Sequence, residues 1–470
     1  MKSFKTLLVI SMVLVATLTT KAQNLKVGAA RENIDVPASW YPMPTHFSPV
    51  QALYDSCYVR AIAMESGTAK TLMLVYELSD YPSIEHFEDK IAQATGFPKE
   101  DIIVTVTHNH TSLSDTDNPW RPSSDPAEKR KKEGYKKIEL NQGIKCAKEA
   151  IARMRPAKVG YGTIDSYVNV NRDYKTRNGY WIEAPNYQGY SPKTLSIVKF
   201  VDNRDSLICA LLNYGCHNTS AFELPDFDGK VKTSGNMSGI ACKLAEKHYG
   251  ANVVVVWTPA AGGDQNPLIS HGIWYEDADG FITEKQMPNG VPYLFMESLG
   301  RTHGSDAIKG IDAIRNYEDA QLGNASLSVG LPAQKKKERV EPRMAWKGDR
   351  DYKEVPYGKV PPAPDFTQYY VDDPEHPVHC DMHLLTIGNI SIIFTNAELY
   401  SRLGTEIKEE SPFTNKFVVC YSLSPSTSYV IDKACIDHKV FQAYDRVRPG
   451  KSDDILLSAA NTLYSRLKKQ

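Results

Sequence analysis

The fold class is decided by one stretch, Ile102-Ile103-Val104-Thr105-Val106-Thr107-His108-Asn109-His110-Thr111-Ser112. It begins as a β-branched apolar run, typical of a strand buried on both faces, and ends as a polar turn. Side chains two residues apart in an extended segment point to the same side, so we expect His108 and His110 to leave the strand together. Open α/β sheets bind ligands at this end, and neutral imidazole is a common metal ligand. The stretch predicts an α/β fold with a candidate metal site; the alternative is two loop histidines hydrogen-bonded to backbone.

Outward from this stretch, strand-like and helix-like runs alternate along the chain, which favours an α/β class with mixed sheets flanked by helices. We expect, for example, a strand over Leu384–Thr395 and helices over Lys136–Arg153 and Tyr293–Tyr317. The charged, Pro-rich stretch Lys335–Glu375 reads either as a linker or as a long excursion over one domain. Because candidate site residues lie on both sides of it, we predict one intertwined domain over residues 23–470.

Three further predicted strands each deliver a polar side chain into the turn that follows. The strand over Leu207–Leu212 leads to His217, the one over Val253–Thr258 to Asp264, and the one over Ser391–Thr395 to Glu398. Each has a plain structural alternative, such as an ordinary Gly-rich turn at Asp264 or a helix cap at Glu398. Four polar groups at four strand ends form a repeated pattern, which favours a shared site.

The N-terminus has the order of a secretory signal peptide. Lys2 and Lys5 precede an uncharged run, Leu7–Leu18, and Thr20-Lys21-Ala22 supplies small residues at a cleavage site after Ala22. The run is shorter than the roughly 20 residues that a spanning helix needs. We therefore predict a signal peptide over residues 1–22, a secreted or periplasmic protein, and no membrane anchor after cleavage. The alternative is an uncleaved N-terminal anchor.

Charge and cysteine content exclude some functions. Lys and Arg number 55, Asp and Glu number 56, and the net charge is -1, so a nucleic-acid partner is not indicated. The eight cysteines include no CxxC spacing, which argues against a cysteine-based zinc site or a thiol redox motif. An exported protein can pair its cysteines, but the pairing cannot be deduced from sequence.

At these residues the chain resembles the neutral/alkaline (non-lysosomal) ceramidase family, and more narrowly its short bacterial members. Thr107–Ser112 resembles the family's Thr-His-Thr-His-Ser motif. The resemblance implies a ceramidase-like α/β catalytic domain without the family's C-terminal immunoglobulin-like domain. The segments that carry it are Val27–Pro37, Thr107–Ser112, Tyr161–Arg172, His217, Gly263–Pro267, Glu398, Tyr429–Val430 and Gln442–Asp445.

The resemblance implies a zinc site with four ligands. Carried over residue by residue, they are His108, His217, Glu398 and Tyr429. Two imidazoles, a carboxylate and a phenol oxygen form a suitable zinc shell. Zinc with an open position brings the pKa of a bound water near 7, and in this family that water would attack an amide carbonyl.

Four further residues receive catalytic roles from the same resemblance. His110 would hydrogen-bond the substrate or move a proton. Arg172 and Tyr444 would contact the substrate carbonyl or stabilise developing negative charge. Asp264 would orient a ligand imidazole.

One departure from the family concerns a serine once proposed as a nucleophile. Asn266 stands at that position, and an amide cannot act as that nucleophile. A zinc–water mechanism survives this change, with Asn266 serving as a hydrogen-bonding group. The retained residues predict an exported zinc-dependent hydrolase of amide (N-acyl) bonds.

Two alternatives to an amide hydrolase of lipids stay open. The first is a metal-dependent esterase or deacylase acting on glycans, and the second is a catalytically inactive binding protein of the same fold. The partner is accordingly a small-molecule, lipid or glycan substrate. Aromatic and basic residues in the candidate loops would suit a sugar or another polar acyl compound: Trp120, Arg121, Tyr180, Trp181, Trp274 and Tyr275.

Overall fold

The computed structural model describes residues 25–45, 49–116, 125–270, 272–337, 359–360 and 369–467. The signal peptide predicted over residues 1–22 lies outside the described residues, as do Trp120 and Arg121. Export therefore stays a prediction. Within the described part of the chain, no helix has both the length and the apolar character that crossing a membrane requires.

Six α-helices and 24 strands, many of them short, make up the described fold. The helices are α1 Phe87–Thr95, α2 Pro126–Ala152, α3 Asn236–Tyr249, α4 Val291–Ala313, α5 Ser401–Glu409 and α6 Asp453–Leu467. The first twelve strands are β1 Lys26–Asn33, β2 Ala52–Leu53, β3 Tyr58–Ser66, β4 Ala69–Tyr76, β5 Ile102–Val106, β6 Arg155–Asp165, β7 Asn169–Lys175, β8 Trp181–Asn186, β9 Thr194–Asp202, β10 Leu207–Tyr214, β11 Lys232–Thr233 and β12 Val254–Pro259. The remaining strands are β13 Gln265–Pro267, β14 Gly272–Glu276, β15 Ile282–Gln286, β16 Leu322–Leu331, β17 Gln334–Lys336, β18 Lys359–Val360, β19 Tyr370–Asp372, β20 Val378–Ile387, β21 Ile390–Thr395, β22 Glu398–Leu399, β23 Asn415–Val419 and β24 Tyr429–Val430.

Two sheets pack face to face between two layers of helices. The large sheet has the order β12-β10-β9-β6-β1-β3-β4-β5, and the smaller one has the order β16-β20-β21-β23. Ile62 and Met73 of the large sheet and Phe394 of the small sheet belong to the apolar layer between them. Helices α2, α3 and α4 cover the large sheet, while α5 and α6 cover the small one. Parallel and antiparallel pairs occur in both sheets, so the predicted α/β class with mixed sheets flanked by helices is confirmed.

A segment that continues from β23 joins the two edge strands of the large sheet. The Cys420 N–H donates to the Pro259 carbonyl at the end of β12 (2.9 Å), and the Leu423 N–H donates to the Val104 carbonyl of β5 (2.8 Å). We call Cys420–Leu423 the seam segment. Because it contacts both edges, the ends of β5 and β12 come close together although they lie at opposite ends of the strand order.

The strand predicted over Leu384–Thr395 is instead two strands, and this prediction was wrong. Ile387 at the end of β20 pairs with Ile390 at the start of β21, so Gly388 and Asn389 form a two-residue hairpin turn. Gly388 has φ +57°, a conformation that glycine adopts without steric cost. The apolar residues on both sides of the turn made the run look continuous.

Helix α2 begins ten residues before the predicted start at Lys136. Asp125 is its N-cap and accepts a hydrogen bond from the Ala127 N–H (2.8 Å), and Pro126 occupies the first helical position. A proline there costs no hydrogen bond and fixes a helical φ. The charge run from Glu128 to Glu133 is therefore helical.

All eight cysteines are unpaired thiols. Seven of them are buried, and Cys435 is partly exposed. Burial raises the pKa of the Cys242 and Cys420 thiols to about 12, which makes them unreactive at neutral pH. The fold therefore depends on packing rather than on disulfide bonds.

Two buried carboxyl groups, Asp115 and Glu139, lie together between helix α2 and the turn that follows β5. Among the described residues, no hydrogen-bond donor faces the Glu139 carboxylate, so the pair can share a hydrogen bond only when one group is protonated. Burial raises the pKa of Asp115 to about 6, and burial together with Asp115 raises the pKa of Glu139. An acid with a raised folded-state pKa stabilises the fold at low pH, and this stability is lost as the pH rises through that value.

We therefore expect Glu139→Gln to stabilise the protein at pH 8 by about 1–2 kcal/mol, because an amide can donate to the Asp115 carboxylate. The gain should shrink at pH 4.5, where the wild-type pair holds its proton. Urea unfolding at both pH values measures the difference. Glu133→Gln, in the same helix with a side chain 65% exposed, serves as the control and should change little at either pH. An equal effect of Glu139→Gln at both pH values would contradict the shared proton.

Candidate active site

His108 leaves the end of β5 in a left-handed backbone conformation, with φ +52°. Its Nδ1 lies 2.9 Å from the Ser79 carbonyl oxygen, so Nδ1 donates to that carbonyl and Nε2 faces the site. The Nε2 of His110 lies 3.0 Å from the Nε2 of His108. A hydrogen bond to backbone, the alternative to a metal site, thus explains the position of only one nitrogen of His108. The other nitrogen faces side chains.

His217 occupies the turn after β10 and is buried. Two backbone carbonyls hold its Nδ1, those of Gly262 at 3.0 Å and Gln265 at 3.1 Å. Burial, followed by the charges of Arg172 and His108, lowers the pKa of His217 well below its usual value. The imidazole is therefore neutral, with its Nε2 lone pair directed into the site.

Glu398 completes this group from a different part of the chain. It lies in β22, which pairs in parallel with β24, and its Oε2 is 3.6 Å from His217 Nε2 and 3.9 Å from His108 Nε2. The helix-cap alternative does not hold, because α5 begins after Tyr400. Side chains from three strand ends thus converge, with the Glu398 carboxylate within 4 Å of both imidazole nitrogens.

This arrangement fits a divalent metal ion. A tetrahedral zinc ion with bonds of about 2.0 Å needs donor atoms roughly 3.3 Å apart, and the described separations lie near that value. Tyr429, opposite Glu398 on β24, places its hydroxyl 3.5 Å from His217 Nε2. The ligand nitrogens of His108, His110 and His217 also lie within 4.8 Å of one another. The chemistry of the set, imidazoles with a carboxylate, suits a divalent metal ion such as zinc.

Arg172 crosses the floor of the site from β7. Its Nη2 donates to Tyr429 Oη (3.1 Å), and its Nη1 donates to the carboxylate of Glu183 (3.2 Å) and to Asn266 Oδ1 (3.2 Å). Burial alone would lower the pKa of Arg172, but Tyr429 and Glu183 outweigh it and the pKa is raised. Asn266 Nδ2 donates to Glu183 in turn (3.1 Å), so Asn266 serves as a hydrogen-bonding group that holds this cation in place.

Comparisons with known proteins found similar structures but no similar sequence. No family model and no curated protein matches the sequence. The neutral ceramidase from Pseudomonas aeruginosa superposes with a TM-score of 0.65 at 14% identity, covering 95% of this chain and 75% of that one. A ceramidase complexed with C2 superposes with a TM-score of 0.66 at 12% identity, covering 95% and 76%. The chain has the neutral ceramidase fold. At these identities the likeness concerns the fold and assigns no residue.

Within this ceramidase fold, Asp264 does not contact a ligand imidazole, which corrects its expected role. Its carboxylate accepts hydrogen bonds from Asn171 Nδ2 (3.0 Å) and from the backbone N–H (2.9 Å) and hydroxyl (2.8 Å) of Ser401. Burial raises the pKa of Asp264 to about 7. The carbonyls of Gly262 and Gln265 orient His217 instead, so Asp264 ties the Gly-rich turn to the start of α5.

Tyr444 lies at the end of a short 3-10 helix, Phe441–Tyr444, beside the site. Phe441 at the start of that helix packs against Tyr429, with ring centroids 5.7 Å apart, and its ring lies 5.3 Å from the Arg172 guanidinium carbon. Tyr444 itself packs against Tyr370, with centroids 5.9 Å apart, and is partly buried. Its helix therefore borders the site, and its catalytic role stays a prediction.

Tyr421, in the seam segment, belongs to the site but was not among the predicted residues. Its ring stacks on His108, with centroids 4.1 Å apart and planes 10° apart, and its hydroxyl lies 3.2 Å from Glu398 Oε2. The same signal that singled out the other residues was present, because Tyr421 follows the apolar strand β23. A tyrosine after such a run is usually a core residue, so the sequence alone did not distinguish Tyr421 from the core.

Proposed function

We propose that this protein is an exported, zinc-dependent hydrolase of amide (N-acyl) bonds. The observation that carries the proposal is the convergence of His108, His217 and Glu398, with the Glu398 carboxylate facing both imidazole nitrogens, in a chain with the ceramidase fold. These three residues and Tyr429 would hold zinc. Zinc bound there would activate water and polarise an acyl carbonyl. The signal-peptide order of residues 1–22 supports export.

The protein's own residues supply proton transfer and charge stabilisation. His110 is only half-buried, and its Nε2 faces His108, so it can exchange a proton with a substrate amide at the edge of the metal site. Arg172 stays protonated, since its pKa is raised, and its guanidinium can stabilise negative charge on the carbonyl oxygen. Tyr444 is proposed to assist at the same oxygen.

A second candidate function is deacylation of glycans. Tyr180, at the tip between β7 and β8, is 49% exposed, and Tyr275 on β14 is 54% exposed. Exposed aromatic rings are typical contacts for sugars and for lipids alike. The N-acyl bond of an amino sugar would require the same metal and carbonyl chemistry.

The test combines metal analysis with a substrate panel. Purified, folded protein should contain about one zinc per chain by elemental analysis and should hydrolyse an N-acyl sphingosine or an N-acyl amino sugar. Release of acyl groups from O-acylated sugars alone would favour the glycan esterase. Zinc-loaded protein that cleaves no member of the panel would favour the binding protein, and folded protein without affinity for zinc would refute the proposed mechanism.

Replacing Arg172 with lysine is expected to lower kcat by about 10²–10³-fold while zinc stays bound. Lysine keeps the charge but lacks the planar fork that contacts Tyr429, Glu183 and Asn266 together. Steady-state kinetics and zinc content are measured on the same preparation. The matched control is Arg177→Lys, because Arg177 is 65% exposed and pairs with Glu276. Full activity in Arg172→Lys would remove this residue from the catalytic group.

A further inference from the structure

The site holds a second phenol that the resemblance does not assign. The Tyr421 hydroxyl lies 3.2 Å from Glu398 Oε2 and 3.3 Å from His217 Nε2. We propose that Tyr421 is itself a ligand of the divalent metal ion, an inference that rests on the proposed metal site. The site then offers two phenol oxygens near His217 Nε2, those of Tyr421 and Tyr429.

The distances from the Tyr421 oxygen to its neighbours favour a role as metal ligand over a role in packing alone. Its oxygen is closer to His217 Nε2 than that of Tyr429, which is 3.5 Å away. Donor atoms of a tetrahedral zinc ion lie roughly 3.3 Å apart, which matches both separations of the Tyr421 oxygen. The Tyr429 oxygen, in contrast, also accepts a hydrogen bond from Arg172 (3.1 Å), which competes with a metal ion for its lone pairs.

Tyr421 is held in this position by its backbone and by its ring. The seam segment fixes the backbone, because the Tyr421 carbonyl accepts a hydrogen bond from the Val106 N–H (3.2 Å). Tyr421 has φ +53°, a conformation that a bulky residue keeps only where its surroundings enforce it. Its ring lies flat against His108. These constraints present the hydroxyl to the metal residues in one orientation.

The hydroxyl itself has no use in core packing. Tyr421 belongs to the main apolar cluster and is 5% exposed. A phenylalanine would fill the same space without burying a polar atom, which costs about 1–3 kcal/mol unless the atom is paired. Both described hydrogen-bond partners of the hydroxyl, Glu398 and His217, are proposed metal ligands.

The experiment titrates metal-free protein with Zn²⁺ and follows two signals. Competition with a chromophoric chelator gives the affinity, and the ultraviolet difference spectrum reports tyrosinate formed on metal binding. We expect Tyr421→Phe to weaken zinc binding at least tenfold and to reduce the tyrosinate signal relative to wild type. Tyr429→Phe is titrated alongside to apportion the signal. Tyr464→Phe, which removes a buried hydroxyl bonded to the Ile407 carbonyl, should behave as wild type.

The outcomes separate this inference from the proposed function. Wild-type affinity and a wild-type tyrosinate signal in Tyr421→Phe would overturn the assignment. Weaker binding with an unchanged signal would also overturn it, since the hydroxyl would then only orient Glu398. Zinc binding by the wild type without any tyrosinate signal has the same consequence. A wild-type protein that binds no zinc would instead overturn the proposed function. Circular dichroism confirms that each variant is folded.

Discussion

Replacing Glu398 with glutamine is expected to lower zinc affinity by on the order of 100-fold or more and to abolish measurable hydrolysis. Glutamine has nearly the same shape but lacks the negative charge that balances a divalent ion. Glu398 is also the residue whose carboxylate lies within 4 Å of both imidazoles. Zinc content after dialysis and turnover of the best substrate from the panel measure the effect.

The control for this substitution is Glu409→Gln. Glu409 lies at the exposed end of α5, the helix that follows Glu398 in the chain. Its replacement by glutamine removes the same charge from the protein. It should retain zinc and activity. A Glu398→Gln protein that keeps stoichiometric zinc and normal turnover would show that the carboxylate is not part of the catalytic centre.

The second large effect concerns stability. Arg60 on β3 is buried between two buried carboxylates: it pairs with Glu77, and its Nε lies 3.0 Å from Glu246 Oε1. Burial alone would lower the pKa of Arg60, but the two carboxylates outweigh it and raise it. Replacing Arg60 with methionine leaves these carboxylates buried with insufficient positive charge. We expect a loss of about 3–5 kcal/mol in the free energy of unfolding.

Urea or guanidinium unfolding at neutral pH checks this prediction. The matched control is Arg301→Met, which removes an exposed ion pair with Glu297 on α4 and should cost at most about 0.5 kcal/mol. Arg60→Met should also recover part of its stability at low pH, where Glu77, whose pKa is raised by burial, can be protonated. A loss below 1 kcal/mol in the free energy of unfolding at neutral pH would contradict this prediction. It would mean that water or other groups balance the negative charge of the two carboxylates.

The polar side chains at strand ends could be located from sequence because they follow a local rule. An apolar run that ends in a polar turn is visible in a few neighbouring residues, and His108, His217 and Glu398 all follow such runs. The structure brings these three together. The turn at Gly388 was missed because hairpin geometry depends on two residues that a long apolar run conceals.

Contacts between residues that are distant in the sequence could not be predicted from such local patterns. Nothing near Asp264 in the sequence indicates that its partners are Asn171 and Ser401, which lie far away along the chain. The contact of Tyr421 with His108 likewise depends on the seam segment bridging two edge strands. Such contacts follow from how the large sheet curls, and residue periodicity carries no information about that curvature.

The seam segment would also link the proposed metal binding to folding. The donor atoms reach the site from β5, from β10 and from the region around β22–β24, segments far apart in sequence that meet in the folded protein with the help of the seam segment. An unfolded chain offers no such cluster, so a metal ion bound at the proposed site would favour the native state. Free metal at 100 times its dissociation constant would then add about 2.7 kcal/mol to the free energy of unfolding. The thermal midpoint of this protein should therefore depend on metal concentration, and a chelator should lower it.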